Sequence, residues 1–244
     1  MHHIFKISVV LALLAASGCT DSNSPNPITP TPTPTTAISP ATTALQIGQT
    51  QVYTLTPATT NAITWTSSNE SVLTIDAGGT ATGLANGVAT ITASPDGGTS
   101  ATLAVQVVPV YAGSWAGPTD VLACTDLAGF ASAGYCAQSL GVTESWTLTL
   151  TQSGLAVTGT MTKTEAGDTL SGTVLGAIGG SGDIIGLTGT LSGFARGANL
   201  VLTPISLHAL ASGSSIAGTW AANVASPQIL GIATIQWRLA GTSQ

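Results

Sequence analysis

Charge is scarce in this chain. Of its 244 residues four are Lys or Arg and ten are Asp or Glu. Beyond Lys6 the cations are Lys163, Arg196 and Arg238, far apart in sequence. A nucleic-acid surface needs clustered cations to neutralise phosphates, and binding to anionic lipid needs a basic patch. Three scattered cations exclude both. Histidine is as rare: after His2 and His3 there is only His208. A histidine-based metal site would hold a single ligand, and a Ser-His-acid triad would have to use His208. Ser206 is near it, but no nucleophile-elbow pattern surrounds it, so His208 reads as a surface or loop residue. After the first twenty residues no apolar run approaches the length that a membrane-spanning helix needs.

Chemistry is equally thin elsewhere. Glu144, Glu165, Asp168 and Asp183 are the acids that could form a glycosidase pair. Glu165-Ala166-Gly167-Asp168, however, reads as a hairpin turn with both carboxylates in solvent. The Gly-rich run from Gly176 to Gly182 lacks the Lys of a phosphate loop and a following helix, and reads as a hairpin loop. No catalytic residue, metal site or cofactor is expected.

What is present begins with the first residues. Lys6 precedes the apolar stretch Ile7 to Ala16, about 15 Å as a helix, half a bilayer core. That suits a signal peptide. The segment ends Ala16-Ser17-Gly18-Cys19, which resembles the lipobox of bacterial lipoproteins, with Ala16 where Leu is commonest. The resemblance implies residues 1–18 as a lipoprotein signal peptide and Cys19 as an acylated anchor. Thr20 follows where an Asp would signal inner-membrane retention, so the expected location is the cell envelope, anchored in an outer membrane or at the cell surface. An ordinary secretory signal with an incidental Cys is the alternative. Residues 19–36 are a Pro/Thr-rich linker whose alternating prolines favour an extended chain of about 3.1 Å per residue.

The remainder is all-β by composition: Gly, Ser and Thr are abundant, and Thr recurs within apolar alternations. Over residues 37–109 short alternating runs are separated by turn residues at sandwich spacing. Tyr53 and Leu55 share a face, as do Ile63 and Trp65, Leu73 and Ile75, Ala89, Ile91 and Ala93, and Leu103, Val105 and Val107. The blocks Ile63-Thr64-Trp65-Thr66-Ser67-Ser68-Asn69-Glu70-Ser71-Val72, Ile75-Asp76, Gly79-Thr80-Ala81-Thr82-Gly83-Leu84 and Gly87-Val88-Ala89-Thr90-Ile91-Thr92-Ala93 resemble bacterial Ig-like domain group 2, with Gly48-Gln49-Thr50 at a further position of its pattern. The resemblance implies a seven-stranded sandwich that serves surface proteins as a stalk or adhesion module, with no catalytic residues. Trp65 reads as core. Glu70, Asp76 and Asp96 are too sparse for a calcium cluster.

Residues 110–244 alternate as well. Trp146, Leu148 and Leu150 share a face, then Leu155, Val157 and Met161, Leu170 and Val174, Ile185, Leu187 and Leu191, Leu200 and Leu202, Ile216 and Trp220, and Ala233, Ile235, Trp237 and Leu239. Eight strands at hairpin spacing, starting with 112–119, solve the edge problem by closing into an antiparallel barrel, either filled or holding one small ligand. Gly159, Gly172, Gly189 and Gly218 at inward positions fit tight coiling. Gly113-Ser114-Trp115 with Trp237-Arg238 weakly resembles the lipocalin/avidin-like superfamily, in which a first-strand Trp meets a last-strand cation. Asp120 to Leu140 interrupts the alternation and reads as a long loop pinned by a disulfide between Cys124 and Cys136. Phe130 and Tyr135 on that loop, with Trp115, Trp146, Trp220 and Trp237, are the candidates to line a ligand site. Core packing, with Phe130 and Tyr135 capping a barrel end, is the plainer alternative.

The resulting expectation is a non-enzymatic envelope lipoprotein: a membrane-anchored Ig-like stalk presenting a barrel that binds a small apolar ligand, a glycan or a surface protein. A structural or adhesive protein with a filled barrel, and a hydrolase using rim carboxylates, are the alternatives.

Overall fold

The computed structural model describes residues 35–165 and 167–244. The signal segment, Cys19 and nearly all of the linker lie outside them. The described chain forms one compact unit containing two β modules.

The first module has strands β1 (Ala37–Ser39), β2 (Ala44–Gln46), β3 (Thr50–Val52), β4 (Thr54–Thr56), β5 (Ile63–Ser67), β6 (Leu73–Ile75), β7 (Thr80–Gly83), β8 (Gly87–Pro95) and β9 (Ala101–Val108). One layer is ordered β2-β9-β8-β5, with β2 parallel to β9; the other contains β3-β7-β6, and β4 carries β1. The period-2 alternation decides the inside: Tyr53, Leu55, Ala89, Ile91, Ala93, Val105 and Val107 are buried, while Val88 is exposed. Trp65 is half-buried against this core. Asp76 accepts from the amides of Gly78 and Thr80, at 2.9 and 2.8 Å, and so closes the turn between β6 and β7. β1 pairs Ala37 with Thr56, at the end of the sandwich opposite the Gln46–Thr50 and Leu84–Gly87 turns. The chain therefore enters at one pole and leaves β9 at the other.

Four residues later the second module begins. Its strands are β10 (Gly113–Asp126), β11 (Thr143–Ser153), β12 (Ala156–Glu165), β13 (Asp168–Ile178), β14 (Ile184–Gly189), β15 (Leu191–Ala195), β16 (Ala198–Ser212), β17 (Ser215–Ser226) and β18 (Ile229–Ser243). Each pairs antiparallel with its sequence neighbours, β14 and β15 share one position, and β18 closes on β10, giving an eight-stranded closed barrel. The inward set is the expected one for six of the eight positions, from Trp146, Leu148 and Leu150 through Ala233, Ile235, Trp237 and Leu239. Glycine allows the coiling: at Gly159, Gly172 and Gly218 a Cβ would collide with the carbonyl oxygens of Thr149, Thr190 and His208 in the adjacent chain segments.

Two expectations need correction. The first barrel strand runs on to Asp126, because residues 120–126 pair with β18 across a bulge near Leu122. The remaining interruption holds two short helices, α1 (Gly129–Ser132) and α2 (Tyr135–Ser139). On β14, Ile184 and not Ile185 faces in together with Leu187. A register shift beside Gly186, whose φ is 62°, breaks the alternation there.

Candidate functional site

The barrel has a pole facing the first module and a distal pole. The distal pole carries α1 and α2 and the turns that follow β12, β15 and β17. Cys124 on β10 and Cys136 on α2 are bonded, with Cα atoms 5.4 Å apart, and the Cys136 amide donates to Asp126 at 2.9 Å. These contacts hold the helical pair against the barrel. Phe130 and Tyr135 are buried beneath it, edge to face at 5.4 Å, so both cap the barrel end.

Below the cap lies a ring of alternating charge. Glu144 begins the inward face of β11, and Lys163 and Glu165 end that of β12. Lys163 Nζ is paired with Glu144 and lies 3.1 Å from Glu165 Oε2. Arg196 closes the ring, its Nε 2.6 Å from Glu165 Oε1 and its Nη2 3.3 Å from Glu144 Oε1. The Tyr135 hydroxyl donates to Glu165 at 2.7 Å. The charges sum to zero, and Glu144, Lys163 and Glu165 are almost wholly buried. Burial pushes the Glu165 carboxyl up, but Lys163, the Tyr135 hydroxyl and Arg196 outweigh it and hold the group below its ordinary value. Tyr135 is pushed far above the usual phenol range, by burial first and then by the Glu165 charge, so it remains a donor.

This overturns the expectation that the acid of the β12–β13 turn is solvated: Glu165 is inside, and only Asp168 is partly exposed. The signal was in the parity. Val157, Met161, Lys163 and Glu165 are all an even number apart, as are Glu144, Trp146, Leu148 and Leu150, so faces set by Met161 and Trp146 carry the charged residues inward. Arg196 has no such signal, since it occupies a turn. Ala195 pairs with Ala198, and Arg196 and Gly197 take φ of 52° and 77°. Both central residues of such a two-residue hairpin need positive φ, and Asn or Gly usually occupies the first.

The remaining candidates are distributed along the barrel. Trp220 and Trp237 pair across β17 and β18 and stack at 4.4 Å, with Lys163 Nζ 4.9 Å from the Trp237 ring centroid. Trp146 is buried and donates to Pro118 O at 3.0 Å. Trp115 sits at the opposite pole, where its Nε1 donates to Tyr111 O at 2.8 Å. Arg238 points outward opposite Asp120. The Trp–cation contact implied by the lipocalin-like resemblance is therefore not formed, and the internal cations are Lys163 and Arg196. The four tryptophans join one apolar cluster that runs through the barrel with Leu148, Met161, Leu200 and Ile235. A small cavity of about 40 Å³ lies between the helical cap and the barrel rim, bordered by Tyr135 and Arg196.

His208 is exposed at the other pole, 3.4 Å from Asp183, whose second oxygen accepts from Ser181. The Ser181 hydroxyl thus donates to the carboxylate. The Ser181 hydrogen bond and the nearby His208 keep Asp183 below the ordinary carboxylate value.

At that pole the modules are fastened together. Asn86 donates to Ser181 O and Gln106 to Gly179 O, both at 2.6 Å, and Tyr111 donates to Gly182 O at 2.7 Å. The Gly176–Gly182 run therefore does more than turn a hairpin: it is the surface on which the first module rests.

Comparison with known proteins identifies the first module. Residues 32–105 match the model of the family described as bacterial Ig-like domain (group 2), a kind of domain found in bacterial surface proteins. The match covers none of the barrel. No curated protein matches the chain.

Proposed function

We propose that this protein is a non-enzymatic cell-envelope lipoprotein, in which the Ig-like module is a stalk and the barrel is a filled head that recognises its surroundings through its outer surface. The observation that carries the reading is the inside of the barrel. Trp146, Trp220, Trp237, Leu148 and Met161 are each at most 2% exposed there, and the charged residues of the distal pole are spent on one another. A drug-sized ligand needs roughly 300–1,000 Å³, whereas the cavity under the cap offers about 40 Å³. The head is thus better suited to structural or adhesive display than to holding a small molecule inside.

The polarity of the chain supports the stalk. It enters the sandwich at Ala37, leaves at the opposite pole, and places the charge ring at the end of the barrel furthest from that entry. The hydrolase alternative loses support because the two inward carboxylates of the distal pole, Glu144 and Glu165, are held by Lys163 and Arg196 under a cap. Native mass spectrometry of the protein purified from its source tests the head: the expected mass is that of the acylated chain alone, and a stoichiometric small molecule retained in the barrel refutes the reading. The anchor has a separate test. Cys19→Ser is expected to abolish labelling by a fatty-acid analogue, and persistent labelling refutes acylation at Cys19.

A further inference from the structure

The cavity at the distal pole has a specific composition. We propose that it recognises a neutral acetamido group on a partner at the cell surface; this rests on the reading of the distal pole as the presented end. Its volume of about 40 Å³ is room for about three waters, on a scale where one needs roughly 10–15 Å³. That is the size of a methyl, a carbonyl and an N–H together.

One wall is polar. Arg196 commits Nε to Glu165 and Nη2 to Glu144, and its Nη1 makes no hydrogen bond among the described residues. Gln138, which also lines the cavity, donates its amide N–H to Ala133 O at 2.9 Å, and its own carbonyl oxygen accepts no hydrogen bond among the described residues. The other walls are Ala198, Leu200 and Ile229. In this arrangement an acetamido carbonyl accepts from Arg196 Nη1, the acetamido N–H donates to the Gln138 carbonyl, and the methyl meets the apolar wall. Charge selects an amide over a carboxylate. The ring already sums to zero, so an anionic ligand would bring an uncompensated charge into a site that is largely out of water. Arg196 is moreover held in left-handed backbone at φ 52°, a conformation disfavoured for a residue with a Cβ and kept where the side chain is needed.

N-acetylated sugars and acetylated lysine side chains both offer this group. The test is titration of the isotopically labelled mature chain, followed by NMR, with N-acetylglucosamine and with Nε-acetyl-lysine, using glucose and lysine as unacetylated controls. At least one acetylated probe is expected to shift the Gln138 and Arg196 signals saturably while its control does not. A response to the sugar alone identifies a glycan partner, and a response to the lysine alone identifies an acetylated protein. Ala198→Leu fills the cavity and is expected to remove the response in a folded protein; Gln138→Leu, on the exposed side, serves if the first variant fails to fold. The proposal is overturned if neither acetylated probe gives saturable shifts, if the controls respond equally, or if the response survives in the folded variant. A ligand found deep in the barrel would refute the filled head without bearing on this cavity.

Discussion

Lys163 is the residue on which the distal pole depends most. It has no exposed side-chain surface and serves two carboxylates. Breaking a buried ion pair from one side leaves charge without a partner and typically costs 3–5 kcal/mol, so Lys163→Met is expected to lose about that much stability in urea unfolding. The pH dependence follows from Glu165. Its folded-state carboxyl lies below its ordinary value, so the unfolded chain takes up the proton first. The stabilisation is present above the ordinary carboxylate range, near pH 4, and fades as pH falls through the lower folded value. Tyr135 acts in the opposite direction. Its raised phenol contributes stability that is present below about pH 10 and lost as pH rises above it. Melting temperature against pH should therefore fall at both extremes, and Glu165→Gln should flatten the acid limb. An unchanged acid limb in that variant would show that the ring is not the titrating element.

At the scale of elements, the distal cap is the least self-sufficient part. α1 and α2 are four and five residues long, far below the length at which a helix holds by itself. They persist because Phe130 and Tyr135 are buried, because Asp126 accepts from the Cys136 amide, and because the disulfide closes the segment. Reduction, or Cys124→Ser with Cys136→Ser, is expected to cost about 3 kcal/mol for a loop of this size. Amide exchange should rise between residues 127 and 142 while the barrel strands stay protected; uniform loss of protection would mean that the cap and barrel unfold together. The strands have their own point of failure. Gly218 faces the His208 carbonyl so closely that any Cβ must displace the neighbouring strand. Gly218→Val is expected to cost more than the roughly 1–3 kcal/mol of ordinary overpacking, read as a lower urea midpoint or as failure to fold.

For the molecule as a whole, the question is whether the two modules behave as one body. Four residues separate β9 from β10; Asn86 and Gln106 tie the Ig-like module to the Gly179–Gly182 loop, and Tyr111 of the connecting segment donates to the same loop. Gly182 has φ of 84°, and a Cβ there would run into the Asn86 amide. Gly182→Ala is therefore expected to loosen the junction and leave both cores intact. Calorimetry should then resolve two transitions where the parent shows one, and NMR relaxation should report faster, independent tumbling of the Ig-like module. One shared transition in the variant would place the coupling elsewhere.

The sequence by itself determined the β class, the pairing of Cys124 with Cys136 and most of the inward faces. Each follows from rules that act locally: alternation with period two, turn residues, and the spacing of a lone cysteine pair. Tertiary structure decided what those rules cannot reach. A lone Glu144, Lys163, Glu165 or Arg196 belongs in water, because burying an unpaired charge is prohibitive. Only when β11, β12 and the Arg196-Gly197 turn converge under the cap do the four charges neutralise one another, and parity alone then prevails over polarity. The junction is of the same kind. Gly176 to Gly182 has the composition of any flexible hairpin, and its role appears only once Asn86, almost a hundred residues earlier, is brought against it by the closure of two separate folds.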